Sequence, residues 1–583
     1  MIEVAQLHCH TKYSTQDAIP SHKNYVDSIY EFNQNSTKYN CIGFAATDHG
    51  NIYGLVKHYN ACNNPDHKER KTKAIYGCEV YHCEDVDNNP NGDRFHLVLL
   101  AATQEGLVNL YEIVSHAGTH VIHGRQKDFP VTDFKFMANH GKGIIALTAC
   151  IGGIVPKSIL NGDTKRALDY IDQLADIFDE VYLEVQPHDF KEQHLVNNAL
   201  VNISSQTGYK LVMTSDSHYI HDYDSQYHDI LKNMCHQKVF TTNNHLYTPD
   251  EMEDFCIKNN IPLECIENTG IIAKQCNVDP KPKDHRALLP VFPCPDGYDE
   301  SSYLRKLSME KLQDKLIKNN VPDPVKYMKQ MLYELEIICN AGFAGYFLIL
   351  WDWFEWCRQN DILCGPGRGS AAGSIVSYAL NITKVDPIKN GFFFERFLNS
   401  GRLEFPDIDT DIPRSRRADA IKYLLGKYGY QNVSQIVTFG EYKLKNTIKA
   451  ILSFLNCPFQ ESNDITKDIP DIVDGHTVTY ELIEDVALYP DSEKYATMSD
   501  REKQGLAKNY STLKEIFQKY PIVYAGIKNI CGCISSTGIH AGGVIISNKP
   551  INQNAAIIDG GDTAVLPLIQ FEMADLDFFG FLN

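Results

Sequence analysis

Several things are missing from this sequence, and each omission narrows what it can be. No pair of its 17 cysteines has the CxxC spacing of a zinc clip, and Cys531 and Cys533, one residue apart, are a poor substitute. No secretory leader precedes the first strand-like residues, MIEVAQLHCH, so the thiols are expected to be reduced in a cytoplasmic setting. No apolar run reaches membrane-spanning length, which removes a membrane as an expected partner. Positive charge is scarce: 55 Lys and Arg stand against 74 Asp and Glu, a net charge of −19. That balance argues against a general polyanion binder. It leaves room for an enzyme whose carboxylates hold metal ions, because the ions return positive charge locally. A Walker A loop and a dinucleotide fingerprint are both absent, as are long repeats and low-complexity tracts.

With 583 residues the chain is too long for one core, and three or four domains are expected. Up to about residue 275, short apolar runs (CIGFAAT, HLVLLAA, GIIALTA, VYLEV, KLVMTS) read as buried strands, with helical stretches such as ALDYIDQLADIFD between them. A Pro-rich stretch from Asp279 to Gly297 reads as a linker. Residues 300–360 are predicted mostly helical and end in YFLILWDWFEWC, a core helix in pattern. Residues 440–530 read as helical around an acidic, loop-rich middle from Glu461 to Asp500 that carries no assignment, and short strands return after 535. The fold class is α/β multidomain. Basic residues gather at Arg414, Arg416, Arg417, Lys422 and Lys427, and again at Lys443, Lys445 and Lys449, which solvated helix faces explain as well as nucleic acid does.

Pro406-Asp-Ile-Asp-Thr-Asp411 carries the sharpest chemistry. On a strand, Asp407 and Asp409 point to one face, and two carboxylates that close repel unless a cation separates them. A solvated acidic edge strand is the bland alternative. About forty residues earlier lies Gly365-Pro-Gly-Arg-Gly-Ser-Ala-Ala-Gly373, whose glycines let backbone N–H groups approach a phosphate. A following helix is expected to add its positive end, with Arg368 and Ser370 supplying charge and a hydroxyl.

A second constellation sits at predicted strand ends: His8 and His10, Asp17, Asp48 and His49, Glu79, His96, Cys150, and Asp216 with His218. Any one of these histidines is more often an ordinary core or surface residue. Their repeated placement at strand ends predicts one site, and imidazole, carboxylate and thiolate together suit zinc, manganese or iron.

The runs LHCHTKYS, TDHGN, YGCEVY, HLVLLA and TSDSHY resemble the PHP (polymerase and histidinol phosphatase) domain over residues 1–275. The resemblance implies a distorted (β/α) barrel with up to three ions, Zn2+ or Mn2+. The implied ligands are His8, His10, Asp17, His49, Glu79, His96, Cys150, Asp216 and His218. With that set intact it implies a metal-dependent 3′–5′ exonuclease. Further on, AGFAGYFLI, GPGRGSAAGSIVSYAL, FFERFLN, PDIDTDI, KYGYQNVSQIVTFG, TGIHAGGVIIS and IQFEMADLDFFGFLN resemble the family C DNA polymerases, the alpha subunits of bacterial DNA polymerase III.

That second resemblance implies a nucleotidyltransferase-beta-type palm and a helical thumb. Asp407 and Asp409 would hold two Mg2+ ions, and Gly367, Arg368, Gly369 and Ser370 the triphosphate of a deoxynucleotide, with Arg396 and Lys445 as weaker phosphate contacts. Primer-template DNA and deoxynucleoside triphosphates are the implied partners. The domain layout follows: 1–278 PHP, 279–299 linker, 300–436 first part of the palm, 437–530 thumb, 531–583 second part of the palm.

The family's third metal-binding aspartate sits in an Asp-Phe-Leu-Gly run just beyond the point this sequence reaches. Asp577 in DFFG mimics it, but the register of Gln570, Met573, Asp575 and Gly580 makes Asp577 an upstream residue. The expectation is therefore a polymerase portion that needs a C-terminal partner polypeptide, with sliding-clamp contact only through regions outside this sequence. An autonomous PHP phosphoesterase with a DNA-binding but polymerase-inactive palm is the alternative.

Overall fold

The apolar runs form a parallel-rich sheet because their side chains are buried on both faces. The computed structural model describes residues 1–65, 70–89, 92–124, 128–237, 243–284, 287–398, 406–561 and 564–581. The chain divides into two compact units. One comprises Met1–Pro280, Val437–Gly538 and Ala555–Ile558, and the other Lys281–Ile436, Ile539–Asn554 and the residues from Asp559 onward.

In the first unit the strands are β1 (Ile2–Cys9), β2 (Tyr39–Ala46), β3 (Lys73–Cys83), β4 (Phe95–Ala101), β5 (Val121–His123), β6 (Asp128–Asp133), β7 (Ile144–Leu147), β8 (Glu180–Val185) and β9 (Lys210–Met213). Their order is β1-β2-β3-β4-β7-β8-β9, with the β5–β6 hairpin attached to β3. Strands β1, β2 and β3 run parallel, as do β7, β8 and β9, whereas β4 is antiparallel to both its neighbours. The first residues of β4 therefore lie beside the last residues of the others. Leu7, Val98, Leu100, Ile145, Leu147, Tyr182 and Val212 fill the concave interior.

The two edge strands, β1 and β9, meet at one end only. Beyond β9, Ser217 bridges to Cys9: the His10 N–H donates to the Ser217 carbonyl at 2.9 Å and the Ser217 N–H to the His8 carbonyl at 3.2 Å. At the other end the helix Glu264–Gln275 wedges between them. There the Ala5 N–H donates to Thr269 Oγ1 and Asn268 Nδ2 to the Leu211 carbonyl. The result is a curled, incompletely closed barrel, as the sequence leads one to expect.

The thumb helices Leu444–Phe454, Tyr480–Leu488, Asp500–Lys519 and Pro521–Ile530 belong to this same unit. Leu444, Ile448, Ile451, Ile483, Leu513, Val523 and Ile527 share an apolar cluster with Tyr227, Ile230 and Leu231 from the helix Ser225–Met234. Ser499 and Glu502 form a reciprocal capping box that starts Asp500–Lys519. Within the middle left unassigned above are the helix Phe459–Thr466 and a two-residue hairpin between Ile472–Val473 and His476–Thr477. Its turn residues, Asp474 and Gly475, have φ of 48° and 77°, the left-handed pair such a hairpin requires.

In the second unit Glu300–Lys318, Pro324–Asn340 and Ala344–Gln359 pack around Leu304, Leu312, Met331, Leu335, Phe347 and Phe354. The aromatic stretch is thus a core helix. Among the described residues no single helix is long and apolar enough to cross a membrane. The described residues of 279–299 form no helix, yet Leu288 and Phe292 are buried, so the Pro-rich segment is anchored at these two points. The strand Val433–Glu441 pairs in parallel with Leu568–Ile569 through Gln435 and Ile436.

The wedge helix has one tolerance-free contact. A Cβ added to Gly270 would sit 1.9 Å from the Glu3 carbonyl oxygen. Gly270→Ala is expected to cost about 1–3 kcal/mol by forcing the helix off β1. Thermal unfolding followed by circular dichroism should fall by several degrees, whereas Gly162→Ala, which meets none of the described residues within 4 Å but has a left-handed φ of 76°, reports backbone strain alone.

Candidate functional site

The end at which β1 and β9 meet gathers the ligand-capable side chains. His8 is the residue before the last of β1 and His10 the first beyond it, and their Nε2 atoms are 3.1 Å apart. His49 lies past β2, with its Nδ1 2.6 Å from Glu79 Oε2 on β3. Because β4 runs backwards, His96 at its start also reaches Glu79, at 2.8 Å. Cys150, beyond β7, places Sγ 3.5 Å from His96 Nδ1. Asp216, beyond β9, is 3.3 Å from His8 and 3.2 Å from His10. Asp17 Oδ2 is 3.3 Å from His49 Nε2, and its Oδ1 is 3.9 Å from His218 Nε2. All nine side chains named above thus meet in one buried cluster. Three of its loops hold non-glycine residues in the left-handed region, Gln16, Ala149 and Asp216. Such conformations persist only where the surroundings fix them.

Do these residues suit metal ions? Among the described residues three overlapping sets have their ligand atoms within 4.8 Å of one another: His8, His10 and Asp216; His10, His49 and His218; and His49, Glu79 and His96. Among the described residues, His49 Nδ1, Glu79 Oε2 and Asp216 Oδ1 are buried with no aligned hydrogen-bond partner, a state that ligation would relieve. The mixed nitrogen, oxygen and sulfur donors suit zinc or manganese. The set fits.

Electrostatics agree. Burial alone would lower the His8 pKa, but the carboxylates of Glu184, Asp216 and Glu79 push it up to about 10. His10, desolvated and facing His49, is pushed down to about 4. Burial would raise Glu79, yet the imidazoles of His96 and His49 hold its carboxyl well below the usual range. Burial and the charge of Glu79 keep the Cys150 thiol well above its ordinary value. Opposite and like charges are packed here at a density that only paired ions or bound cations sustain.

The other constellation lies in the second unit. Arg368, Asp407, Asp409 and Asp411 line one cleft of about 400 Å³ together with Tyr346, Arg417 and His540. Pro406–Asp411 is extended but forms no strand, which corrects the expectation of a strand ladder. Alternation survives without one because Ile408 is buried, its N–H donating to the Tyr346 hydroxyl, so Asp407 and Asp409 turn outward together. Asp407 is raised by desolvation and by Asp409, with Arg368 opposing. Arg368 bridges Asp409 at 2.9 Å and Asp411 at 3.2 Å, and the Gly365 N–H donates to the Asp411 carbonyl. A Cβ on Gly369, whose φ is 68°, would stand 3.4 Å from Asp409 Oδ2, so the glycine-rich loop lies against the acidic segment. Hard, partly exposed carboxylate oxygens side by side suit magnesium.

Not every expected residue joins that cleft. Gly367, Gly369, Ser370 and Arg396 are not among its lining residues, and Lys445 sits on Leu444–Phe454 in the first unit. The expected helix dipole is also spent elsewhere. Only a 3-10 turn and the five-residue helix Ile375–Ala379 follow the loop, and the Ile375 and Val376 N–H groups donate to the buried Glu334 carboxylate. Of the basic cluster, Arg417 lines the cleft, whereas Arg416 pairs with Asp419 and Lys427 with Asp352.

Residues 302–583 match the family described as bacterial DNA polymerase III alpha NTPase domain, and residues 6–188 match the PHP domain. DNA polymerase III subunit alpha of Aquifex aeolicus is 30% identical over 100% of this chain and 51% of its own length. That of Borreliella burgdorferi is 33% identical over 94% and 45%, and that of Chlamydia muridarum 30% over 99% and 48%. The chain belongs to the DNA polymerase III alpha family. It spans about half the length of these relatives.

Within this family member, sequence reasoning passed over several residues that the sites use. Glu184, in VYLEV, accepts from His8 Nδ1 at 2.6 Å and from Thr214 Oγ1, fixing the His8 ring. A charged residue inside an apolar strand was the available signal. Asp48, placed beside His49 in the sequence constellation, serves the backbone instead: it takes the Thr11 N–H and the hydroxyls of Thr11 and Ser14, which shapes the loop leading to Asp17. His540 accepts from the Gly542 and Gly543 N–H groups at the rim of the cleft. Glu334 sits among Met331, Leu335 and Ile338 on the buried face of its helix, where its two oxygens take Gln330, Ser374, Ile375 and Val376.

Burial pushes Glu334 up to about 7. A carboxyl held above its unfolded value binds its proton more tightly in the folded state, so folded stability falls as pH rises from about 4.5 to 7 and is level beyond. The span corresponds to roughly 3 kcal/mol. In paired thermal melts at pH 5 and pH 8, Glu334→Gln is expected to flatten that decline relative to the parent.

Proposed function

We propose that this chain carries the nucleotidyl-transfer and exonuclease portions of a replicative DNA polymerase. The observation that carries the reading is the shared cleft of Arg368, Asp407 and Asp409. When bound there, divalent ions supply charge neutralisation for in-line transfer of a nucleotidyl group. The protein's part is to hold Asp407 and Asp409 outward on either side of the buried Ile408 and to present Arg368 from a glycine-rich loop. In this arrangement Arg368 screens Asp409 and Asp411, so it must exchange those carboxylates for the phosphates of an incoming deoxynucleotide. Ser370 offers an exposed hydroxyl on the same loop. Primer-template DNA is the second substrate. The relatives' length supports a requirement for further polypeptide before polymerisation proceeds.

The PHP cluster is proposed as a metal-dependent 3′–5′ exonuclease site for two or three ions, zinc or manganese. His8 would be kept in one orientation by Glu184, and Glu79 would hold an ion together with His49 and His96. The meeting of Asp17 and Cys150 with the seven grouped ligands also favours a second reading, in which this chain is an autonomous phosphoesterase and its cleft only binds DNA. A cytoplasmic setting accords with 17 free thiols.

Two measurements separate the readings. Mixed with the polypeptide corresponding to the rest of the relatives, the parent is expected to extend a labelled primer, and Asp407→Ala to lose extension by roughly a hundredfold or more. A parent mixture that never extends would sink the polymerase reading. Alone with Mn2+, the chain is expected to release nucleotides from a primer 3′ end, and His8→Ala to lose at least a hundredfold of that release, roughly. Release that survives His8→Ala would mean a different centre is responsible.

A further inference from the structure

The helix Ser225–Met234 works on two sides. Tyr227, Ile230 and Leu231 enter the thumb cluster, while His228 and Lys232, four residues apart, share another face. His228 Nε2 donates to the Asp17 carbonyl at 2.7 Å. Lys232 Nζ forms an ion pair with Asp17 Oδ1 and also donates to Gln237 Oε1 at 3.1 Å. Oδ1 is the same oxygen that lies 3.9 Å from His218 Nε2, while Oδ2 faces His49. One carboxylate oxygen thus stands between an ammonium and the ion position that Asp17 would complete.

A dication and an ammonium cannot both hold that oxygen at contact distance, because like charges a few ångströms apart in a buried site repel strongly. Which of the groups can give way is set by the packing. The Asp17 loop is tied down: the Gln16 N–H and Nε2 donate to the carbonyls of Ile534 and Ser535, and the Ile19 N–H to that of His218. Ile19 is itself part of the thumb cluster. Lys232 has a flexible four-carbon stem and a second acceptor already in reach.

We propose that Lys232 is a resident competitor for the ion position formed by Asp17, His49 and His218. Filling that position moves Nζ off Asp17 and onto Gln237, so this ion binds more weakly than the others. The helix that carries Lys232 is packed on the thumb, which links occupancy of this position to thumb packing. The inference rests on the reading of the cluster as a metal centre.

The test is Mn2+ binding by the full chain, stripped with chelator and titrated by calorimetry, with ions per chain counted by elemental analysis. Lys232→Met is expected to tighten the weakest position about tenfold, the equivalent of one charge-assisted hydrogen bond, and to leave the others unchanged. Lys232→Arg should behave as the parent, and Asp17→Asn should lose that position only. Lys232→Gln serves the same purpose as Lys232→Met should the latter not fold. Equal or weaker binding in both neutral variants overturns the competitor. Absence of bound Mn2+ in parent and variants alike sinks the metal reading and the competitor with it.

Discussion

Glu79 is the contact on which the N-terminal site depends. Its carboxylate is fully buried in β3, yet it meets His49 from β2, His96 from β4 and the thiol of Cys150 from beyond β7. A lone carboxylate there would be driven to take a proton. Surrounded by imidazoles it stays ionised, and each strand end that supplies one is held in place by the same charge. The geometry depends on β4 running against its neighbours, since only a reversed strand brings its first residues to the end where the others finish.

The sheet's curl makes the rest of the gathering possible. A flat sheet in this order would leave His8 and Asp216 on opposite edges. The Ser217 bridge draws those edges together at the ligand-bearing end, and the helix Glu264–Gln275 keeps them apart at the other. A taper of this kind concentrates polar residues at the narrow mouth and leaves the interior to Leu7, Leu100, Leu147 and Val212.

Much of this was legible in the residues. Short apolar runs marked the strands, and ligand-capable residues recurring at their ends pointed to one site. What escaped has physical causes. Lys232 and His228 sit on a helix whose sequence shows only ordinary amphipathic spacing, so nothing marks them as neighbours of Asp17. Glu334 occupies an apolar-face position, a local conflict that signals a buried partner without saying which. Asp474-Gly475 announced a tight hairpin inside a segment whose acidic composition obscured it. The strand expected at Pro406–Asp411 failed because alternation of side chains needs only an extended backbone, and here the Tyr346 hydroxyl takes a hydrogen bond that a neighbouring strand would otherwise have satisfied.

Because Val437–Gly538 folds onto the N-terminal sheet's own helix, the chain cannot be divided by position alone. A fragment ending at residue 280 would leave Ile19, Tyr227, Ile230 and Leu231 bare to water, and with them an oily surface that invites aggregation. Any dissection of this molecule into independent pieces has to carry the thumb along with the first module, although more than 150 residues of intervening chain separate them in order.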